Sequence, residues 1–131
     1  MKISEFKIEN QRITNVIFKI NENGYKDKVD YQFHTQVTIG KSEKISNKAK
    51  VTLQFEVFKE EELETRPYYL QCTIEGIFSW EEGVLNDDII EDLLRINAPA
   101  VLLSYIRSTT SLITLSAGFV PLVIPLINFK E

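Results

Sequence analysis

The sequence has little of what active sites are usually built from: its 131 residues include one cysteine and one histidine. The lone Cys72 excludes an internal disulfide and suits a reducing, cytoplasmic setting. The lone His34 falls on the polar parity of a strand pattern, and a near-neutral pKa alone makes no general base. Phosphate loop, zinc-ligand set, dinucleotide fingerprint and serine elbow are all missing, which argues against an enzyme and calls for no metal or cofactor. Charge also runs out along the chain. Asp92 is the last acidic residue before the terminal one, and between Arg107 and Lys130 there is no charge at all. A short chain cannot easily hide so much apolar surface within itself, so something else should cover part of it.

What is present fits a folded domain. The chain is 44% hydrophobic and 26% charged, which argues against disorder, and its length suits a single domain over residues 1–131. A net charge of -4 speaks against a nucleic-acid partner, whose affinity rests on clustered Lys and Arg. The start, MKISEFKIENQRI, has a charge every few residues and no apolar signal core. The uncharged stretch from Ser108 to Phe129 raises the question of membrane insertion. It holds six Ser and Thr residues and is broken by Gly118, Pro121 and Pro125, whereas a lone span needs about 20 mainly apolar residues. No membrane insertion is expected.

The first two thirds alternate as strands do. Ile13, Val16, Phe18 and Ile20 switch phase between Ile13 and Val16, as at a bulge or bend. Tyr31, Phe33, Val37 and Ile39 alternate with Gln32, His34, Gln36 and Thr38. Val51, Leu53, Phe55 and Val57 share one parity, as do Leu70, Cys72, Ile74, Gly76 and Phe78 beyond the acidic turn at Glu60 to Glu64, which predicts an antiparallel hairpin.

Helical signals follow. Asn86 or Asp87 can cap a helix whose apolar face is Ile89, Ile90, Leu93 and Leu94. Asn97-Ala98-Pro99 predicts a break there and a longer helix starting near Pro99 and running to Ala117, stopped by Gly118. Leu102, Tyr105 or Ile106, Thr109, Leu112 or Ile113, and Ser116 form one stripe on it. With Arg107 its only charge, this helix reads as covered by its own sheet on one side and by a second copy on another, so Leu102, Tyr105, Ile106, Thr109, Leu112 and Ile113 are the expected oligomer interface. Phe119 to Phe129 is apolar but carries Pro121 and Pro125, which makes it extended. Strands first and helices last describe an α+β fold with helices on one face of an antiparallel sheet.

No reactive constellation emerges from the polar residues. Cys72 sits on an apolar parity, as a small buried hydrophobe does. Asp87, Asp88, Glu91 and Asp92 lack the spacing of a calcium loop and are explained by helix capping. Aromatics are more abundant than one small core requires: Tyr31, Phe33, Tyr68, Tyr69, Phe78, Trp80 and Phe119. With the proline-broken tail they can line an apolar groove between layers.

The stretch from Gly76-Ile77-Phe78 through Ile96-Asn97-Ala98-Pro99, Leu103-Ser104-Tyr105-Ile106-Arg107 and Gly118-Phe119-Val120-Pro121 to Asn128-Phe129 closely resembles the bacterial protein-export chaperone family SecB, in order and nearly in spacing. The resemblance implies a four-stranded antiparallel sheet with a short and a long helix on one face, assembled as a homotetramer, a dimer of dimers. It implies an ATP-independent holdase that keeps unfolded or newly made polypeptides, including preproteins, in apolar grooves and hands them in export to the motor SecA. Phe33, Val37 and Ile39 fall near the family's groove-lining aromatic and the apolar positions after it; Trp80, Phe119, Val120 and Leu122 complete the expected client-binding set. Where the family's motor-docking surface carries carboxylates, this chain has Asn15, Lys19 and Gln71, and Tyr69 replaces an apolar neighbour. The family continues past the position of Glu131 into a second helix, whose loss should leave apolar surface more open. Altered docking charges motivate an alternative: a dedicated chaperone of one protein, such as an aggregation-prone regulator, without SecA.

Overall fold

The alternating segments pair into one antiparallel sheet, in a computed structural model that describes residues 5–25 and 28–130. The charged start at Met1 to Ser4 and the end at Glu131 lie outside the described residues. Strands β1 (Phe6–Ile20), β2 (Phe33–Lys41), β3 (Lys48–Val57) and β4 (Tyr68–Trp80) lie in the order β1-β4-β3-β2. The period of two decides which side is dry. Val51, Leu53, Phe55 and Val57 on β3 are fully buried, as are Leu70, Cys72, Ile74 and Phe78 on β4. The residues between them, Thr52, Gln54 and Glu56, face outward opposite Glu75, Thr73 and Gln71.

The phase switch expected in β1 is a real irregularity. Its register with β4 shifts between Ile13 and Asn15, and again between Ile8 and Asn10. Each extra residue flips the parity, so Ile8, Ile13, Val16 and Phe18 all share the inner side although their spacing is uneven. The connection from β3 to β4 is a 3-10 turn, Glu60–Thr65.

Behind the sheet lie α1 (Asp87–Asp92) and α2 (Ala98–Ser116). Asn86 caps α1, its side-chain oxygen accepting from the Ile89 N–H at 2.9 Å. The break expected at Asn97 is absent. Asn97 keeps helical angles (φ -77, ψ -41), and Leu93–Asn97 form a π turn that joins the two helices. Pro99 has no N–H to give the carbonyl of Arg95, and a widened turn is one way to carry a helix past that deficit.

Helix α2 packs over β3 and β4 through Leu102, Leu103 and Ile106, none more than 1% exposed. Gly76 permits this approach: a Cβ there would lie 2.9 Å from Cδ2 of Leu102. The helix ends at Gly118, whose φ of +91 suits a residue without a side chain. The extended tail then doubles back along α2, held by polar pins. The Leu122 N–H donates to Thr114 Oγ1 at 2.8 Å, and the Arg107 guanidinium donates to the Ile124 and Pro125 carbonyls.

Candidate functional site

At one end of the sheet the aromatic side chains form a connected series. Phe33 of edge strand β2 stacks on Tyr31 (centroids 6.1 Å, 8° between planes), and Tyr31 on Phe58 (5.9 Å). Phe58 meets Tyr68 edge-on at 6.0 Å, and Tyr68 meets Phe119 at 4.9 Å and Phe18 at 5.4 Å. The series therefore runs from β2 across β3 and β4 to the tail. Phe33 and Phe119, distant in sequence, are its two half-buried ends.

The middle of this series is the strained part. Phe58 has φ +63, in the left-handed region that an aromatic residue rarely adopts, yet it is fully buried. Its N–H donates to the Gln32 carbonyl at 2.8 Å, and the Arg66 guanidinium sits 5.0 Å over its ring. Beside it the buried Tyr68 hydroxyl faces Tyr31, and burial pushes its pKa up. Phe58 was not expected among the site residues. Its signal was available: Val57 and Phe58 are adjacent apolar residues that break the alternation of β3.

The other expected groove residues divide. Val37 and Ile39 are half-buried on the inner face of β2, in line with Phe33. Trp80 is only 8% exposed and stacks against Phe6 at the far end of β4, away from the aromatic series. Leu122 corrects its expectation, since with Ile124 it turns into the core. The Thr114 pin fixes that orientation and leaves Val120, Val123 and Leu126 outermost, at 80%, 82% and 92% exposure.

The helix stripe needs a similar correction. Leu102 and Ile106 are fully buried against the chain's own sheet and offer nothing to a second copy. Thr109 and Ile113 are intermediate, while Tyr105 and Leu112 are exposed. The outward stripe is Val101, Tyr105, Ser108, Leu112 and Leu115, with the alternating four-and-three spacing of a helix-packing seam. Part of the inner face of β1 is uncovered as well, because α2 lies over β3 and β4: Ile13, Val16 and Ile20 are 38%, 43% and 48% exposed, while Ile8 and Phe18 are half-buried against the core.

On the outer face of the sheet, three of the residues aligned with a docking surface join one polar strip. Asn15 Nδ2 donates to Gln71 Oε1 (2.8 Å), Gln71 Nε2 to the Tyr69 hydroxyl (3.2 Å), and that hydroxyl to Glu56 Oε2 (2.6 Å). Lys19 pairs separately with Glu60 at 2.7 Å. Burial, then the bond to Glu56, pushes the Tyr69 pKa up to about 12. The strip is thus neutral amide and phenol wherever Glu56 is not.

His34 and Cys72 are not brought together: His34 is opposite Glu56 on the outer face, and Cys72 opposite Phe55 within the core. Burial pushes the Cys72 thiol up to about 11, which suits inert packing. Among the described residues no group of three potential metal ligands converges, and no helix is long and apolar enough to cross a membrane.

Comparisons with known proteins agree with this architecture. The family described as preprotein translocase subunit SecB matches residues 2–131. A protein-export protein SecB of Anaplasma marginale is 37% identical over 82 residues, 61% of this chain and 45% of the relative. The chain thus matches about half the length of that relative. An uncharacterized protein of Methanocaldococcus jannaschii is 26% identical over 125 residues, 93% of this chain and 78% of its own. Among solved structures, a SecB-like chaperone of Mycobacterium tuberculosis in complex with a ChAD peptide from the HigA1 antitoxin superposes with a TM-score of 0.71. At 12% identity, covering 95% of this chain and 88% of that one, the likeness is one of fold.

Proposed function

This chain belongs to the SecB family, and on that premise we propose that it is a non-enzymatic chaperone that binds extended, non-native polypeptide for one dedicated client. The observation that carries the binding is the aromatic series from Phe33 to Phe119, which surfaces at both ends beside uncovered apolar residues. Apolar contact of this kind selects exposed hydrophobic side chains with little demand on sequence and requires no nucleotide. Phe33, Val37, Ile39, Phe119 and Val120 are the contacts proposed for the client.

Dedication to one client is supported by the outer face. Where the family resemblance puts motor-docking carboxylates, Asn15 and Gln71 are neutral and hydrogen-bonded to each other, and Lys19 is cationic. A basic docking partner finds little complementary charge there. The M. tuberculosis protein of this fold, bound to a peptide of an antitoxin, is a precedent for a regulator as client. General holding of preproteins for SecA is the second reading, favoured by the name of the curated relatives.

Pull-down from native cells, comparing wild type with Phe33→Asp, separates the two. One stoichiometric partner retained by wild type and lost from the variant supports dedication. Many unrelated clients lost together support the general holdase, and an unchanged set of partners would remove the aromatic series from the site.

We also propose that the chain self-associates into a dimer of dimers through the α2 stripe and the exposed Ile13, Val16 and Ile20 of β1. Leu112→Lys should lower the mass measured by sedimentation; a wild-type monomer at micromolar concentration overturns this.

A further inference from the structure

The two edges of the sheet are guarded very differently. An edge strand exposes a row of unpaired backbone groups, and proteins blunt it with charge, proline or bulges. Strand β1 has two register shifts and carries Lys7, Glu9, Arg12 and Lys19. Strand β2 has only Lys41, at its very end and paired with Glu91, in place of these devices. From Tyr31 to Gly40 there is no charge and no proline, its pairing with β3 is regular throughout, and its residues are rich in Thr, Val, Ile and Phe.

The register also says which backbone groups stand open. The Phe58 N–H donates to the Gln32 carbonyl and the Ser42 N–H to the Lys48 carbonyl, so the pairs at both ends of the ladder are hydrogen-bonded ones. Such pairs alternate along an antiparallel ladder. His34, Gln36 and Thr38 therefore direct their N–H and C=O to β3, while Phe33, Thr35, Val37 and Ile39 direct theirs to the free edge. These four also place their side chains on the inner face, opposite Val57, Phe55, Leu53 and Val51.

We propose that β2 is a strand-addition site: an extended polypeptide pairs antiparallel with Phe33 to Ile39 and becomes a fifth strand. The proposal deepens the client-binding reading above and rests on it. The ligand class is a segment with apolar residues at alternate positions. Residues of the added strand opposite Phe33, Val37 and Ile39 share their face, so its apolar side chains cover three half-buried side chains, and its polar ones lie beside His34, Gln36 and Thr38. Backbone pairing supplies affinity that does not depend on sequence. A second copy of this chain fits the edge less well. Strand β1, bulged twice and charged along its length, offers no regular alternation to pair with it, and a β2–β2 seam about 30 Å long covers a few hundred Å2, below the ~800 Å2 per partner of a stable dimer.

The test uses the full chain and a labelled synthetic peptide of about ten residues alternating valine and glutamine between terminal lysines. Antiparallel addition requires the valine amides to face β2. N-methylation of the valine amides should weaken binding about tenfold or more, and N-methylation of the glutamine amides should leave it within about twofold. Equal effects of the two sets, or loss confined to the glutamine set, overturn the proposal. Thr35→Pro removes only an outward N–H, so it should keep the native circular dichroism while losing the peptide.

Hydrogen exchange gives the same answer without a variant. The amides of Phe33, Thr35, Val37 and Ile39 should exchange quickly in the free chain and slow on adding peptide, while those of His34, Gln36 and Thr38 are protected throughout. Peptide binding with no new protection at these four positions overturns edge pairing and leaves the client-binding reading standing. No binding of this peptide or of a reduced, denatured protein overturns both. Protection of the four amides without peptide, lost on dilution, assigns the edge to a second copy and overturns the proposal.

Discussion

The hydroxyl of Thr114 accepts a hydrogen bond of 2.8 Å from the backbone N–H of Leu122, eight residues on, and both groups are buried. Thr114 also donates to the Thr110 carbonyl at 2.9 Å, so its hydroxyl joins the helix to the tail. The contact fixes the rotation of the tail: Leu122 and Ile124 go in, and Val120, Val123 and Leu126 go out. Thr114→Val keeps the shape and deletes the acceptor, leaving the Leu122 N–H unsatisfied. The expected loss is about 1–3 kcal/mol in urea unfolding. Amide exchange should quicken from Phe119 to Ile127 while the strands stay protected; a variant with unchanged tail exchange would show that the pin is not what holds it.

Gly76 sets the distance between sheet and helix. A methyl there would meet Leu102 at 2.9 Å, the Phe78 ring at 3.1 Å and Ile8 at 3.3 Å. Gly76→Ala should cost about 1–3 kcal/mol through overpacking, despite the usual gain from replacing glycine in a strand. Pairing it with Leu102→Ala should recover part of the loss relative to the sum of the single changes. Additive effects would place the clash elsewhere.

The strands, the bulge before Asn15, the Asn86 cap and the inner parity of β3 and β4 were legible because period and turn chemistry are local. Most of what failed was non-local. The stripe on α2 contains two apolar sectors, and nothing in spacing alone says that Leu102 and Ile106 meet the sheet while Tyr105 and Leu112 look out. That choice is made by Gly76, which belongs to another element. Leu122 was misplaced for the same reason, its direction being set by Thr114. The helix at Asn97 continued because a π turn accommodates Pro99, a local solution that residue propensity does not reveal. The aromatic composition pointed to a groove, but Phe58, the centre of the aromatic series, was marked only by the break in alternation after Val57.

Stability should fall at high pH, and the sign follows from two acids whose folded state holds the proton. Cys72 is raised by burial from its ordinary value of 9.0 to about 11, and Tyr69 from 10.0 to about 12 by burial and by Glu56. Groups so raised contribute fully below the unfolded value, and the contribution is lost as pH rises through the folded one. The urea midpoint should therefore decline from about pH 9 upward through about 11 for Cys72, and over a second window about one unit higher for Tyr69. Cys72→Ala should flatten the first part of the decline. A midpoint that stays level from neutral pH through the first window would contradict the burial of the thiol.

Phe58 offers a test in which a usual order reverses. In most strand positions glycine is less stable than alanine by about 0.5–1 kcal/mol, because it has more backbone freedom to lose. At Phe58, with φ +63, alanine must hold a left-handed angle that costs an L-residue about 1–2 kcal/mol, whereas glycine adopts it freely. Both substitutions delete a buried ring that stacks on Tyr31, meets Tyr68 and lies under Arg66, at about 3–5 kcal/mol. Phe58→Gly should therefore unfold at higher urea than Phe58→Ala. Both variants should also bind extended peptide more weakly than wild type, because Tyr31, on which Phe33 stacks, loses the ring it rests on. Equal midpoints for the two would mean that the turn after β3 is unstrained, and unchanged peptide affinity in both would detach the aromatic series from client binding.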